Sequence, residues 1–175
     1  MLRSSLFCCS VVFLACIMAH VTFTNLKCIS SNLSLVEFQH CRIKAVNRTH
    51  KYITIHLQNH MKNINAAMLN IKVLRFNHGY KPFFFNLNFD PCLYLKNPNN
   101  PVIHLFLKAV RQSSNLNHSC PYDHDIIVDK LWTGNHETDF LKYLPVPNGE
   151  YVLIFTASIS NYELISVHTF LQVTA

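Results

Sequence analysis

The chain has 175 residues, half of them apolar, which is long enough for one domain with a substantial buried core. Its formal charge of +6 is scattered rather than gathered into a basic block with stacking aromatics, and this excludes a nucleic-acid partner. The only glycines are Gly79, Gly134 and Gly149, so a Gly-rich phosphate loop is excluded as well.

The N-terminus has its own grammar. Arg3 supplies one positive charge, Leu6 to Met18 is an uncharged apolar run, and Ala19 is a small residue at its end. This pattern predicts a secretory signal peptide over residues 1–19, cleaved before His20, and a single domain over residues 20–175. The run is shorter than the roughly 20 residues that a spanning helix needs, so no transmembrane segment is expected in the mature chain. Export predicts a secreted, extracellular protein with disulfides. Cys8, Cys9 and Cys16 leave with the leader, while Cys28, Cys41, Cys92 and Cys120 stay. Four cysteines allow three pairings. We expect Cys28–Cys41 to tie the first two strands and Cys92–Cys120 to brace a helical excursion, with the crossed pairings left open. Sequons at Asn32, Asn47 and Asn117 predict surface glycosylation.

In chain order, the hydrophobic period is mostly two. Apolar and charged residues alternate from Cys41 to Ala45. Ile53, Ile55 and Leu57 share one face of the next strand; Ala67, Leu69, Ile71 and Val73 share one face of the strand after it. Gly79 marks a turn. From Pro82 onward Phe83, Phe85, Leu87 and Phe89 point one way and Asn86, Asn88 and Asp90 the other, with Phe84 the exception. The period then changes. Asn100 caps and Pro101 begins an amphipathic helix over residues 101–112, with Ile103, Phe106, Leu107 and Val110 as its apolar stripe. Cys120-Pro121 punctuates the chain before a short apolar strand at residues 126–131. Residues 140–143 suggest a helical turn. Pro145, Pro147 and Asn148-Gly149 signal a turn before two long strands, residues 151–159 and 162–173. The fold class expected is mainly β: an antiparallel β-sandwich with one amphipathic helix.

Groups able to do chemistry are numerous but dispersed. Among eleven histidines, His118, His124 and Asp125 are the nearest approach to a metal set, yet no HExxH or short-spaced ligand pattern occurs. We therefore expect hydrogen-bonded or solvated histidines, no metal and no cofactor. There is no GxSxG elbow and no acidic pair in a catalytic context, so the expectation is a protein that is not an enzyme, with no catalytic residues.

Several stretches in order carry a resemblance: residues 23–28 (FTNLKC), 41–48 (CRIKAVNR), 78–83 (HGYKPF), Asp90-Pro91-Cys92, residues 114–125 (SNLNHSCPYDHD) and 144–151 (LPVPNGEY). Together they resemble a large secreted insect family of unknown function, expanded in flies. A chemosensory branch of it is similar to the ganglioside activator and the ML-type lipid-recognition domains. The resemblance spans nearly the whole mature chain. It implies a β-sandwich cup that holds a lipid or another hydrophobic molecule, and it supplies no catalytic residues. With the aromatic excess, it makes Phe83, Phe85, Phe89, Phe106 and Phe155 the residues expected to line a cavity or fill a core. The first functional expectation is a secreted, non-enzymatic binder of a lipid or hydrocarbon, chemosensory in setting. The alternative is a secreted glycoprotein interaction module with a filled core, acting on an extracellular receptor.

Overall fold

Alternating apolar residues form eight strands among the described residues of the computed structural model, which covers residues 20–48, 50–134 and 146–174. The expected signal peptide and the helical turn at 140–143 lie outside those residues. The strands are β1 (His20–Ser30), β2 (Val36–Ala45), β3 (Lys51–Asn59), β4 (Met68–Phe76), β5 (Tyr80–Phe89), β6 (Ile126–Trp132), β7 (Gly149–Ile159) and β8 (Tyr162–Thr174). Helices α1 (Pro91–Lys96) and α2 (Pro101–Arg111) lie between β5 and β6 in the chain. One sheet has the order β1-β8-β7-β4-β5, the other β2-β3-β6, and every pair is antiparallel. This is the antiparallel sandwich that the period-two pattern predicts.

The turns explain the register. His78 and Gly79 take φ of 51° and 114° between β4 and β5; at 114° a side chain would be strained, which suits glycine. Between β7 and β8, Ser160 and Asn161 are both left-handed, with φ of 50° and 65°. Two such residues form the tight turn whose twist matches the flanking strands.

β5 departs from simple alternation. Leu74 pairs with Pro82 and Lys72 with Asn86, so residues 83–85 oppose Val73 alone. Phe84 sits in this bulge at φ 70°. An edge strand tolerates both the bulge and the proline, because its outer hydrogen-bonding side has no partner.

A second helix, α1, joins the one expected. Asp90 accepts hydrogen bonds from the backbone of Cys92 (2.7 Å) and Leu93 (3.2 Å), and Pro91 begins the helix. Asn100 does the same for α2, accepting from Val102 (2.9 Å) and Ile103 (3.2 Å). The Asp-Pro and Asn-Pro starts are the same cap signal. Six residues are too few to show a 3.6-residue period, so α1 is silent to a periodicity argument.

Two disulfides form, Cys28–Cys41 and Cys92–Cys120. The first joins β1 and β2, which belong to different sheets, with Cα atoms 6.1 Å apart. The second fastens α1 to the loop before β6. No helix among the described residues is long and apolar enough to cross a membrane.

The buried core is split. At one end Val21, Phe23, Ile53, Leu131, Tyr151 and Val173 pack together. At the other, Val36, Leu57 and Leu164 form a separate cluster.

Candidate functional site: an apolar cavity between the sheets

What lies between the two clusters is space. Ile55, Leu153, Phe155 and Val167 stand mid-strand on the inner faces, yet each is only half-buried. In a filled sandwich these positions are the most enclosed, because interiors pack to crystal density. Here they border a cavity of about 360 Å³. That falls within the range of roughly 300–1,000 Å³ typical of small-molecule sites.

Each wall follows from a strand pattern. The Ile53-Ile55-Leu57 face of β3 and the Leu69-Ile71-Val73 face of β4 both border the space. Helix α2 packs on the five-stranded sheet beside the cavity: Phe106 meets Phe85 of β5 at 5.7 Å and Phe155 of β7 at 5.8 Å, both edge-to-face. Phe83, Phe85, Phe89, Phe106 and Phe155 all border the cavity. Phe84 borders it too, while 57% exposed, because the bulge carries it to the rim. Alternation places Phe84 on the opposite face; the unpaired residues of the bulge are what alternation cannot register.

The lining carries no charged side chain, and its polar groups are largely committed elsewhere. Tyr151 donates its hydroxyl to the Pro147 carbonyl (2.6 Å). Tyr122 donates to the His118 carbonyl (2.8 Å). Burial pushes both phenols above their ordinary pKa, with Arg75 working against the rise at Tyr151. Arg75 lies 5.8 Å from the ring centres of Phe83 and Tyr151. With two hydroxyls bonded to carbonyls, this wall discriminates mainly by shape and apolar area. Tyr151 and Tyr122 escape sequence reasoning because each is brought to the cavity by pairing between distant segments.

At the other end of the cavity two loops meet. Ile64 and Tyr122 exchange backbone hydrogen bonds, both 3.0 Å. Asp125 accepts from the Asn59 amide (3.0 Å) and its other oxygen meets His56 Nε2 (2.8 Å). The Asn59 amide, and then His56, hold the Asp125 carboxyl below the usual aspartate value. Its folded pKa being the lower one, this contribution is complete above about pH 4 and is lost as pH falls through the folded value. Asp125→Asn is therefore expected to flatten the acid limb of the stability curve below about pH 4. Unfolding free energies from urea titrations across that window check this. Parallel limbs for both proteins count against the contact.

The remaining expected positions are distributed. Asn47 and Asn117 are exposed and Asn32 is half-exposed. Thr49, third in the Asn47 sequon, lies outside the described residues. The Asn32 side chain accepts from the Ser34 amide (3.0 Å) and hydroxyl (2.6 Å). Of His118, His124 and Asp125, only the two histidines meet, since the Asp125 carboxylate turns to Asn59 and His56. Among the described residues no three or more His, Cys, Asp or Glu converge on a metal position.

No curated protein matches this chain. Over residues 69–153, from β4 into β7, the chain is similar to an uncharacterised family whose model is described as a protein of unknown function, DUF1091.

Proposed function

We propose that this chain is a secreted, non-enzymatic binder of a hydrophobic ligand of lipid or hydrocarbon type. The observation that carries this is the hollow centre of the sandwich, where Ile55, Leu153, Phe155 and Val167 are half-buried around about 360 Å³ of apolar space. An apolar cavity of about 150 Å³ holds benzene, so one more than twice as large suits a longer chain or a fused ring system. Removing apolar surface from water, at roughly 25 cal/mol per Å², supplies the affinity without chemistry. Two disulfides support an extracellular setting. The resemblance of the chain's motifs to a secreted insect family, one branch of which is similar to lipid-recognition domains, supports the same ligand class.

Native mass spectrometry of protein from a eukaryotic secretory host, followed by organic extraction, tests the proposal. A reproducible adduct identified as a lipid or hydrocarbon is expected. Ala157, on the central strand β7, also borders the cavity. Ala157→Trp fills the space and is expected to cut uptake of a fluorescent fatty acid at least about tenfold while the protein stays folded. A bare wild-type mass with no uptake of the probe overturns the proposal, as does undiminished uptake by the folded variant.

A second reading, action on an extracellular partner, has one observation of its own. Phe76 and Tyr80 are exposed and meet edge-to-face at 5.3 Å, and Tyr80 meets Phe170 at 6.1 Å. Exposed, contiguous aromatics are characteristic of partner-binding surfaces. Retention of a secreted protein on wild-type chain but not on Tyr80→Ser is its expected signature.

A further inference from the structure

Among the described residues the buried serine and threonine side chains are Thr133, Ser166 and Thr169. Two of them are hydrogen-bonded. The Thr133 hydroxyl accepts from the Lys51 amide (2.9 Å), and the Ser166 hydroxyl meets His168 Nε2 (2.9 Å). Thr169 is 6% exposed, yet among the described residues its hydroxyl has no hydrogen-bond partner, and its oxygen is not sealed in protein. What it meets is the cavity, which Thr169 borders and the other two do not. It stands on β8 between Val167 and Leu171, both of the same wall. A valine there would suit the strand equally and leave no hydroxyl facing apolar space. The other polar side chains of the wall are occupied. Tyr122 and Tyr151 donate to carbonyls, and Asn59 accepts from the Met61 amide (3.0 Å) and donates to the His124 carbonyl (3.4 Å).

On the reading that the cavity binds a hydrophobic molecule, on which this assignment rests, we propose that Thr169 anchors one uncharged oxygen of the ligand. The cavity then takes an oxygenated long-chain compound, a ketone, aldehyde, ester or alcohol, rather than a bare hydrocarbon. A hydroxyl both donates and accepts, so a ligand carbonyl accepts from Thr169 and a ligand alcohol can do either. Such a bond satisfies two groups at once, the buried hydroxyl and the oxygen that the ligand has taken out of water. It also sets direction. Thr169 pairs with Leu153, two residues along β7 from Tyr151. The oxygen is therefore held toward the end where Tyr151 and Val173 pack, and the hydrocarbon tail runs toward Leu57 and Leu164 at the other. The wall has no charged side chain to compensate an ionised head, so the anchored group is neutral. A fatty acid enters by its chain and leaves its carboxylate in water, so it reports filling of the cavity but not this contact.

Tetradecane and dodecyl methyl ketone have the same chain length and differ by one carbonyl. The test is displacement of the neutral fluorophore phenylnaphthylamine by each, from the disulfide-intact wild type and from Thr169→Val, which keeps the side-chain shape and removes the hydroxyl. Thr169→Val is expected to bind the ketone at least about fivefold more weakly and to bind tetradecane as tightly as wild type or more so. Because no bond within the fold is lost, the variant is expected to melt no lower than wild type. Undiminished ketone binding, or an equal loss for both compounds, overturns the anchor and leaves the hydrophobic binder standing. A wild type that takes up neither compound overturns the binder, and the anchor with it. A Thr169→Val protein that melts well below wild type shows the hydroxyl to be bonded within the fold, and that too overturns the anchor.

Discussion

Replacing Cys92 and Cys120 together by serine is expected to destabilise the protein by about 3–4 kcal/mol. The two residues are 28 apart in sequence, and the loop entropy released to the unfolded chain grows with the logarithm of that span. The same argument for Cys28–Cys41, separated by 13, gives about 3 kcal/mol, so the longer loop is expected to matter more. Structure adds to the difference, because Cys92 is buried and a serine hydroxyl placed there needs a partner. Urea unfolding of both double variants, with midpoints and slopes fitted separately, checks the magnitude and the order. A loss below about 1 kcal/mol at Cys92/Cys120 counts against loop closure as the origin of this bond's stabilisation. With the bond gone, α1 and the loop carrying Tyr122 lose their covalent fastening, so ligand retention is expected to fall in parallel.

Phe106→Ala is expected to cost about 3 kcal/mol, at the lower end of the range for deleting a buried aromatic. The ring is 7% exposed and meets Phe85 and Phe155 edge-to-face. One side of it already faces the cavity, so fewer contacts are lost than in a solid core. In a chain of this size such a loss lowers the melting temperature by roughly 6–12 °C. Calorimetry with and without an added fatty acid separates two parts of the effect. A ligand that fills the enlarged space restores some of the lost stability, in proportion to how far its concentration exceeds its Kd. A fall in melting temperature of less than about 2 °C counts against α2 as a docked wall.

The sandwich is legible in the sequence wherever one face of a strand is apolar and the other is not. Ile53-Ile55-Leu57 and Leu69-Ile71-Val73 declare their inner faces by alternation alone. Asn100-Pro101 declares the start of α2 by chemistry that needs no tertiary context. The bulge at residues 83–85 is not legible, because it is a property of how β5 meets β4. Assignment of the strands to sheets is equally hidden: β1 and β2 are consecutive, yet they lie in different sheets, joined by a disulfide rather than a ladder. The cavity itself is a difference between wall area and filling volume, and a list of phenylalanines is the same whether they meet or stand apart. The His118–His124 pair shows the limit from the other side. A spacing of six residues in a loop carries no signal of contact, and the loop's fold alone brings the two rings together.

The covalent tie from β1 to β2 makes one margin of the molecule a fixed edge. It acts as the spine of a book, holding the two covers at one margin. At the opposite margin β5 and β6 share no ladder, and a second stitch, Cys92–Cys120, fastens α1, which follows β5, to the loop before β6. With both margins sewn, room for a bulky occupant comes from rearranging the rings of Phe85, Phe106 and Phe155 rather than from parting the covers.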